Sequence, residues 1–268
     1  MADEVFTETK GRVRLITLNR PEARNAMNPE VLVKLADSWQ RVHDDDSIRV
    51  AVITGNGPAF CAGMDLGSMI PLITGARPPQ DEWDEAVVSD KTLGYRATLR
   101  NFDTSKPVIA AINGFAIAGG MELVMACDLR IAADSAKFGL QEVKWAIFPG
   151  GGSTVRLPNQ IPYARAMEVL LTGDQFSAQN MLEYGFLNYV VPKSEVLDKA
   201  LEMAGKIAAN GPVAVCAVRR SVREAIGVSE PEALVREGEL SAPVYATEDA
   251  VEGPRAFMEK RQPVFKGR

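Results

Sequence analysis

An α/β core followed by a helical appendage is the fold that this 268-residue sequence predicts, and three observations carry the prediction. Short β-type apolar runs alternate with helical patterns between Val13 and Ala132. Glycine-bearing junctions recur where a strand gives way to a turn or helix, around residues 55–57, 119–120 and 150–152. After Tyr163 the strand signal nearly vanishes, while amphipathic helices continue. Short parallel-type strands joined by crossover helices are the mark of an α/β core.

The elements follow in order. Val5 to Thr9 and Val13 to Leu18 flank Lys10-Gly11 and predict a β-hairpin. Asn28-Pro29 signals a helix start, and Val31, Leu32, Leu35, Trp39 and Val42 recur at helical spacing, which makes Trp39 a core residue. The acidic triplet Asp44 to Asp46 ends that helix in solvent. Arg49 to Thr54 is a buried strand leading through Gly55-Asn56-Gly57-Pro58 into a second junction, Ala59 to Leu66, with small residues at its centre. From Gly67 to Asp90, the residues Pro71, Gly75, Pro78 and Pro79 interrupt the apolar pattern around Trp83, and the stretch reads as an irregular, mobile flap over a pocket. A helix is predicted over Lys91 to Asn101.

Pro107 to Ile112 is a β-type run ending at the Asn113-Gly114 turn. Small residues then lead to Gly119-Gly120 and a run of helix formers with Glu122 in its first turn. Leu129 to Ala132 is a further strand, and Phe138 to Glu142 leads toward Gly150-Gly151-Gly152-Ser153, which opens a helix ending near Leu157. Ser177 to Tyr184 forms a short helix closed by Gly185, and Leu187 to Val191 is the last strand. Ser194 is expected to cap a helix bearing Val196, Leu197, Ala200, Leu201, Ala204 and Ile207 on one face. Gly211-Pro212 opens another with Val215, Val218 and Val222, and helices near 231–245 and 248–260 complete the chain.

Composition narrows the function. With 46% apolar and 24% charged residues the chain can bury a sizeable core, which excludes disordered and fibrous classes. A net charge of −5 argues against duplex binding and still permits a local basic pocket for an anionic ligand. Cys61, Cys127 and Cys216 are widely separated, with no CxxC pair, which argues against a disulfide framework and a zinc site and fits a reducing compartment. The acidic start and the lack of any long apolar run lead to the expectation of a soluble, cytoplasmic protein.

The strand-to-helix junction at 107–128 carries the chemistry. Its glycines let a ligand approach bare backbone, and the helix start leaves amide N–H groups for an anion or a developing oxyanion. Glu122 taken alone more commonly complements a helix dipole, and glycine runs more commonly mark turns. Cys61 reads as a small buried residue, since the single histidine, His43, sits at a helix end. Lys260-Arg261 reads on its own as a solvated helix end.

Taken together, the motifs resemble the enoyl-CoA hydratase/isomerase (crotonase) superfamily along essentially the whole chain. Asn19-Arg20-Pro21-Glu22 with Arg24-Asn25-Ala26-Met27 is similar to the family's N-terminal signature. Phe60 to Leu66 resembles the first oxyanion-hole loop, and Asn113-Gly114 through Gly119-Gly120-Met121-Glu122-Leu123 the second. Asp128 to Ala132, Phe138-Gly139, Glu142, Phe148 to Gly152 and the closing Glu252 to Arg261 follow in the family's order.

The resemblance implies a crotonase (ClpP-like) spiral of ββα units over residues 1–195, holding an acyl-CoA site, and a C-terminal helical oligomerisation region over 196–268. It implies a hydratase in which the amides of Met64 and Gly119 hold a thioester oxyanion while Glu122 and Glu142 act as acid and base. The rivals are a Δ3-Δ2-enoyl-CoA isomerase using mainly Glu142 and, from another class, a non-catalytic acyl-CoA-binding scaffold. By the same resemblance Arg24, Ala26, Ala62, Asp65 and Gly150 would meet the CoA moiety. Phe257 and Lys260 would reach it from a neighbouring subunit of a homotrimer or a dimer of trimers. No cofactor beyond the substrate's own coenzyme A, no metal, no nucleic acid and no membrane is expected. The chain departs from the family at Ala118, where a glycine is common, and at Trp145-Ala146, where Leu-Gly is common. Trp145 is the change expected to reshape the acyl pocket or shift Glu142.

Overall fold

The predicted hairpin forms in register: β1 (Val5–Lys10) lies antiparallel to β2 (Val13–Leu18), with Val5 opposite Leu18 and Lys10 opposite Val13. Gly11 turns it at φ 61°, a left-handed angle that suits glycine. The structure is a computed structural model and describes residues 3–268. Beyond β2 the core is built by repetition. The strand pairs β3 (Val50–Gly55) and β4 (Ala59–Cys61), β5 (Val108–Ile112) and β6 (Phe115–Ile117), and β7 (Leu129–Ala133) and β8 (Lys137–Gly139) each send one strand to a large sheet and one to a small sheet. Helical segments follow each pair, so the chain winds as a spiral of ββα units.

The large sheet runs β1-β2-β3-β5-β7-β10 and is parallel from β2 onward, β10 being Tyr189–Val191. The small sheet runs β4-β6-β8-β9, with β9 (Phe176–Ser177) antiparallel to β8. Every residue of β3 and β5 is buried, as expected of interior parallel strands covered on both faces. Edge strand β1 instead exposes Thr7, Glu8, Thr9 and Lys10, whose polarity discourages further strand pairing.

Helix α1 (Pro29–Asp44) begins where predicted: the Asn28 side chain accepts from the Val31 N–H at 2.9 Å, and Pro29 takes the first helical position. Trp39 is fully buried and donates its indole N–H to the Ala97 carbonyl at 2.9 Å. At the other end Lys106, itself buried, donates to the carbonyls of Val42 at 2.8 Å and Asp45 at 2.7 Å. A cation thus meets carbonyls at the C-terminal end of the helix.

Residues 67–90 correct the sequence reading in part, because only the link at 74–81 is irregular. They form α2 (Leu66–Ile73) and α3 (Glu82–Ser89), capped by Asp65, which accepts from Ser68 N–H at 3.3 Å, and Asp81, which accepts from Asp84 N–H at 2.8 Å. Arg77 clamps the buried Asp84 through two hydrogen bonds between the helices. The two caps outweigh the prolines: Pro71 lies inside α2 and removes only its own donor. The next helix, α4 (Leu93–Ala97), is shorter than predicted, and Leu99 leaves the helical path at φ 53°.

Helix α5 (Gly119–Ala126) starts on the glycine pair, and α6 (Ser153–Arg156) on the glycine triplet. Two further helices, α7 (Tyr163–Thr172) and α8 (Ala178–Glu183), precede α9 (Val196–Ala208), whose Val196, Ala200 and Ala204 are buried where it packs on β3, β5 and β7. Ser194 does not cap α9; it lies inside a 3-10 turn, Lys193–Glu195, that leads into the helix. The last helices are α10 (Pro212–Glu224), α11 (Glu230–Tyr245) and α12 (Glu248–Met258). Arg219 ties α10 to the core by donating to Asp128 at 2.8 Å and Asp103 at 2.6 Å. Val218 and Val222, predicted to share an apolar face of α10, are each 64% exposed in the single chain. Among the described residues no helix is long and apolar enough to cross a membrane.

Candidate active site

The site forms where the loop after β4 meets the start of α5. Residues 24–27 run beside 62–65 through three main-chain bonds: Ala62 N–H to Arg24 O at 3.0 Å, Met27 N–H to Gly63 O at 2.8 Å, and Asp65 N–H to Met27 O at 2.9 Å. This pairing uses the groups on either side of Met64 and turns the Met64 amide away from Met27. Glycine is required at the seam. Gly63 holds φ 95°, and a methyl group there would lie 2.9 Å from Ala118 Cβ and 3.2 Å from Gly119 N. A methyl group on Gly120 would stand 2.2 Å from the Cys61 carbonyl oxygen.

The Met64 and Gly119 amides are therefore neighbours: the Cβ position of Gly119 is 3.7 Å from Met64 N. Neither N–H has a main-chain acceptor among the described residues. Ala118 enters α5 at φ 50° and ψ −124°, an unusual conformation for a residue with a side chain, and its N–H is held by Gly139 O at 2.8 Å. The place where the family commonly has glycine thus keeps a glycine-like backbone.

Glu122 lies one turn into α5 and is 6% exposed. Its Oε1 accepts from the Gly151 N–H at 2.6 Å and from the Ser153 hydroxyl at 2.8 Å. Both donors were missed by the sequence reading, which took Gly150 from the same triplet. Gly150 is exposed, and a methyl group on it would make only an ordinary contact with Phe148 O at 3.8 Å, whereas a methyl group on Gly151 would lie 2.1 Å from Glu122 Oε2. The available signal was the run Gly-Gly-Gly-Ser before a helix, because a chain pressed against a buried carboxylate needs both absent side chains and a donor.

Glu142 arrives on the 3-10 segment Gln141–Trp145 after β8. It is half-buried, and its Oε2 is shielded from solvent with no hydrogen-bond partner among the described residues. Burial, with the Glu122 charge adding to it, pushes its carboxyl up to about 7. The structure thus gives one carboxylate two donors and the other a poorly solvated oxygen. Trp145 is 72% exposed, so most of the indole stands in solvent instead of filling space beside Glu142.

The remaining predicted residues divide into two groups. Arg24, Ala26, Ala62 and Asp65 gather on the paired segments beside Met64. Arg20 braces them, with Nη1 donating to Ala26 O at 2.7 Å and to Asp65 Oδ2 at 3.1 Å. Arg24 itself is exposed at φ 53°. Phe257 and Lys260 stand instead at the C-terminal end of α12, Phe257 82% exposed, on a segment that packs against the chain's own tail through Asp249 and the Gly267 N–H at 2.8 Å. Cys61 is buried and its thiol is pushed up to about 12 by burial, so it has no thiolate to offer as a nucleophile.

Two neighbouring amides without main-chain acceptors among the described residues, with two carboxyl groups of contrasting environment beside them, are equipment for forming and quenching an enolate. The model of the enoyl-CoA hydratase/isomerase family matches residues 8–268. The chain is 43% identical over 265 residues to enoyl-CoA hydratase EchA19 of Mycobacterium tuberculosis, an alignment that spans 99% of this chain and 97% of that protein. It is 38% identical over 266 residues to 2,3-dehydroadipyl-CoA hydratase of Escherichia coli, spanning 99% of each. Its structure is similar to that of enoyl-CoA hydratase from Mycobacterium tuberculosis H37Rv, with a TM-score of 0.88 at 40% identity over 100% of both chains. Fold, motif order and full-length similarity agree, and the chain belongs to the enoyl-CoA hydratase/isomerase family as an enzyme of the crotonase fold.

Proposed function

We propose that the enzyme adds water reversibly across the double bond of a 2-trans-enoyl-CoA, on one face, to give a 3-hydroxyacyl-CoA. The observation that carries this reading is the contrast between the carboxyl groups: Glu122 Oε1 accepts from two donors, whereas Glu142 Oε2 is shielded with no partner among the described residues and burial pushes its carboxyl up to about 7. In the reaction the thioester oxygen accepts from the Met64 and Gly119 N–H groups as negative charge develops on it. Water gives its proton to Glu122 as its oxygen bonds to Cβ, the C=C electrons pass to the thioester as an enolate, and Cα then takes a proton from Glu142. Coenzyme A is part of the substrate, and no separate cofactor takes part. Similarity to relatives named as hydratases supports the same direction of chemistry.

The CoA moiety is assigned to Arg24, for a phosphate, and to the backbone around Ala26 and Ala62 with Asp65, for the adenine, with Gly150 on the facing turn. Phe257 and Lys260 are assigned to a neighbouring subunit's site, which makes the working unit a homotrimer or a dimer of trimers. Loss of the enoyl thioester absorbance of crotonyl-CoA and of longer 2-enoyl-CoA esters tests the reaction. Turnover only of 3-enoyl-CoA esters establishes the isomerase instead, and binding of CoA esters with no turnover establishes a scaffold.

The donors differ in what substitution removes. Gly119→Pro deletes an amide N–H and is expected to lose about 3 kcal/mol of transition-state stabilisation, roughly a hundredfold or more in kcat. Met64→Leu keeps its main-chain donor and is expected to stay near the wild-type rate. Comparable kcat values for the two variants would remove these amides from the mechanism.

A further inference from the structure

Arg156, the last residue of α6, takes no part in the steps above. Its side chain folds back under the turn that opens its own helix: a methyl group on Gly152 would lie 3.5 Å from Arg156 Cδ and Nη1. Gly152 holds φ 113°, and its carbonyl accepts from the Arg156 N–H at 2.9 Å. From there Nη2 donates to Leu99 O at 2.6 Å and to Arg100 O at 3.2 Å, so the guanidinium bridges two turns. Leu99 has the left-handed angle noted above, which a leucine seldom adopts without support from its surroundings. Arg156 Nη1 is shielded from solvent with no hydrogen-bond partner among the described residues.

The charged and titratable groups around this guanidinium come from four elements. They are Glu122 and the adjoining Cys127 at the two ends of α5, Arg130 of β7, Arg100 after α4 and Arg223 of α10. The Cys127 thiol is pushed up to about 12 by burial and is neutral at physiological pH. Glu122 is the one carboxyl group in this set. It is also the carboxylate that the bridged turn grips, through the Gly151 N–H and the Ser153 hydroxyl.

We propose that Arg156 is a positioning residue for Glu122: it pins the turn of residues 150–153 to the turn at Leu99 and Arg100, and so fixes where the carboxylate points. The kinetic half of this inference rests on the hydratase reading; the structural half does not. A misplaced general base lowers the chemical step and leaves substrate binding almost untouched.

The test is Arg156→Met and Arg156→Lys, read by hydration kinetics and by amide exchange at Gly151. Arg156→Met is expected to lower kcat on the order of 10²-fold with KM within about threefold. It should also speed exchange of the Gly151 amide by about tenfold or more, while amides of β3 and β5 exchange as in wild type. Added guanidinium ion is expected to restore part of the lost kcat, and Arg156→Lys to fall between wild type and Arg156→Met. A lowered melting temperature with unchanged kcat per folded molecule, or an unchanged Gly151 exchange rate, overturns the proposal. Where Arg156→Met does not fold, Arg156→Lys is judged by the same exchange criterion. If wild type hydrates no enoyl-CoA, the reaction proposed above fails, and Gly151 exchange still decides for or against Arg156.

Discussion

Glu142→Gln is expected to lower kcat for hydration by about 10²- to 10⁴-fold, the usual contribution of a positioned proton donor or acceptor, and to abolish a pH limb near neutrality. The limb follows from burial, which brings the Glu142 carboxyl to about 7. Below that pH the proton needed at Cα is present; above it the donor is increasingly lost, so kcat/KM of wild type should fall as pH rises through about 7. The charge of Glu122 contributes to the elevation, so in Glu122→Gln the same limb should move to lower pH within the residual activity. A wild-type profile flat from pH 6 to pH 9 would remove Glu142 from the donor role.

The same group links pH to stability, and the sign is fixed by which state holds the proton. The folded chain retains the Glu142 proton up to about 7, whereas an unperturbed carboxyl releases it near 4.5. The stability this provides is complete below about pH 4.5 and is lost as pH rises through about 7. A glutamine carries no such loss. Glu142→Gln is therefore expected to melt at the wild-type temperature at pH 4 and above it at pH 8, the reverse of what a simple loss of packing would give. Thermal melts of the two proteins across that range check the prediction.

The junction where the candidate site forms was legible in the sequence because the proposed donors are backbone groups. A main-chain N–H at a helix start announces itself through the glycines around it, and the junction at 107–128 has them. Trp39, the hairpin and the buried strands were legible for the same kind of reason: period and turn chemistry are local. Gly151 and Ser153 were not legible as partners of Glu122, because their role depends on two junctions 29 and 31 residues apart being folded against each other. Nothing local separates Gly150 from Gly151; only the carboxylate packed against one of them does. The stretch at 67–90 misled for the opposite reason. Its prolines and glycine were counted as breakers, while Asp65 and Asp81 were supplying helix caps. Val218 and Val222 of α10 and Phe257 remain exposed in the single chain, so their apolar character has no account within it.

Gly151→Ala is expected to cost nearly as much activity as Glu122→Gln, on the order of 10²- to 10⁴-fold in kcat, while leaving the fold intact. The added methyl group would lie 2.1 Å from Glu122 Oε2, 2.5 Å from its Cδ and 2.9 Å from Oε1, distances no structure sustains. What yields is decided by stiffness. At Gly120 and Gly114 the obstructing atoms are the carbonyl oxygens of Cys61 at 2.2 Å and Pro58 at 2.0 Å, so alanine there must displace backbone and should destabilise the whole sheet junction. At Gly151 the obstacle is the free end of one side chain, which can rotate away at the loss of its two hydrogen bonds. The damage is then functional: the carboxylate leaves the position from which, in the proposed mechanism, it takes a proton from water. Since both substitutions remove the same group from the same place, the double variant Gly151→Ala/Glu122→Gln should be scarcely slower than either single one. Multiplication of the two losses in that double variant would show that Gly151 acts through something other than Glu122.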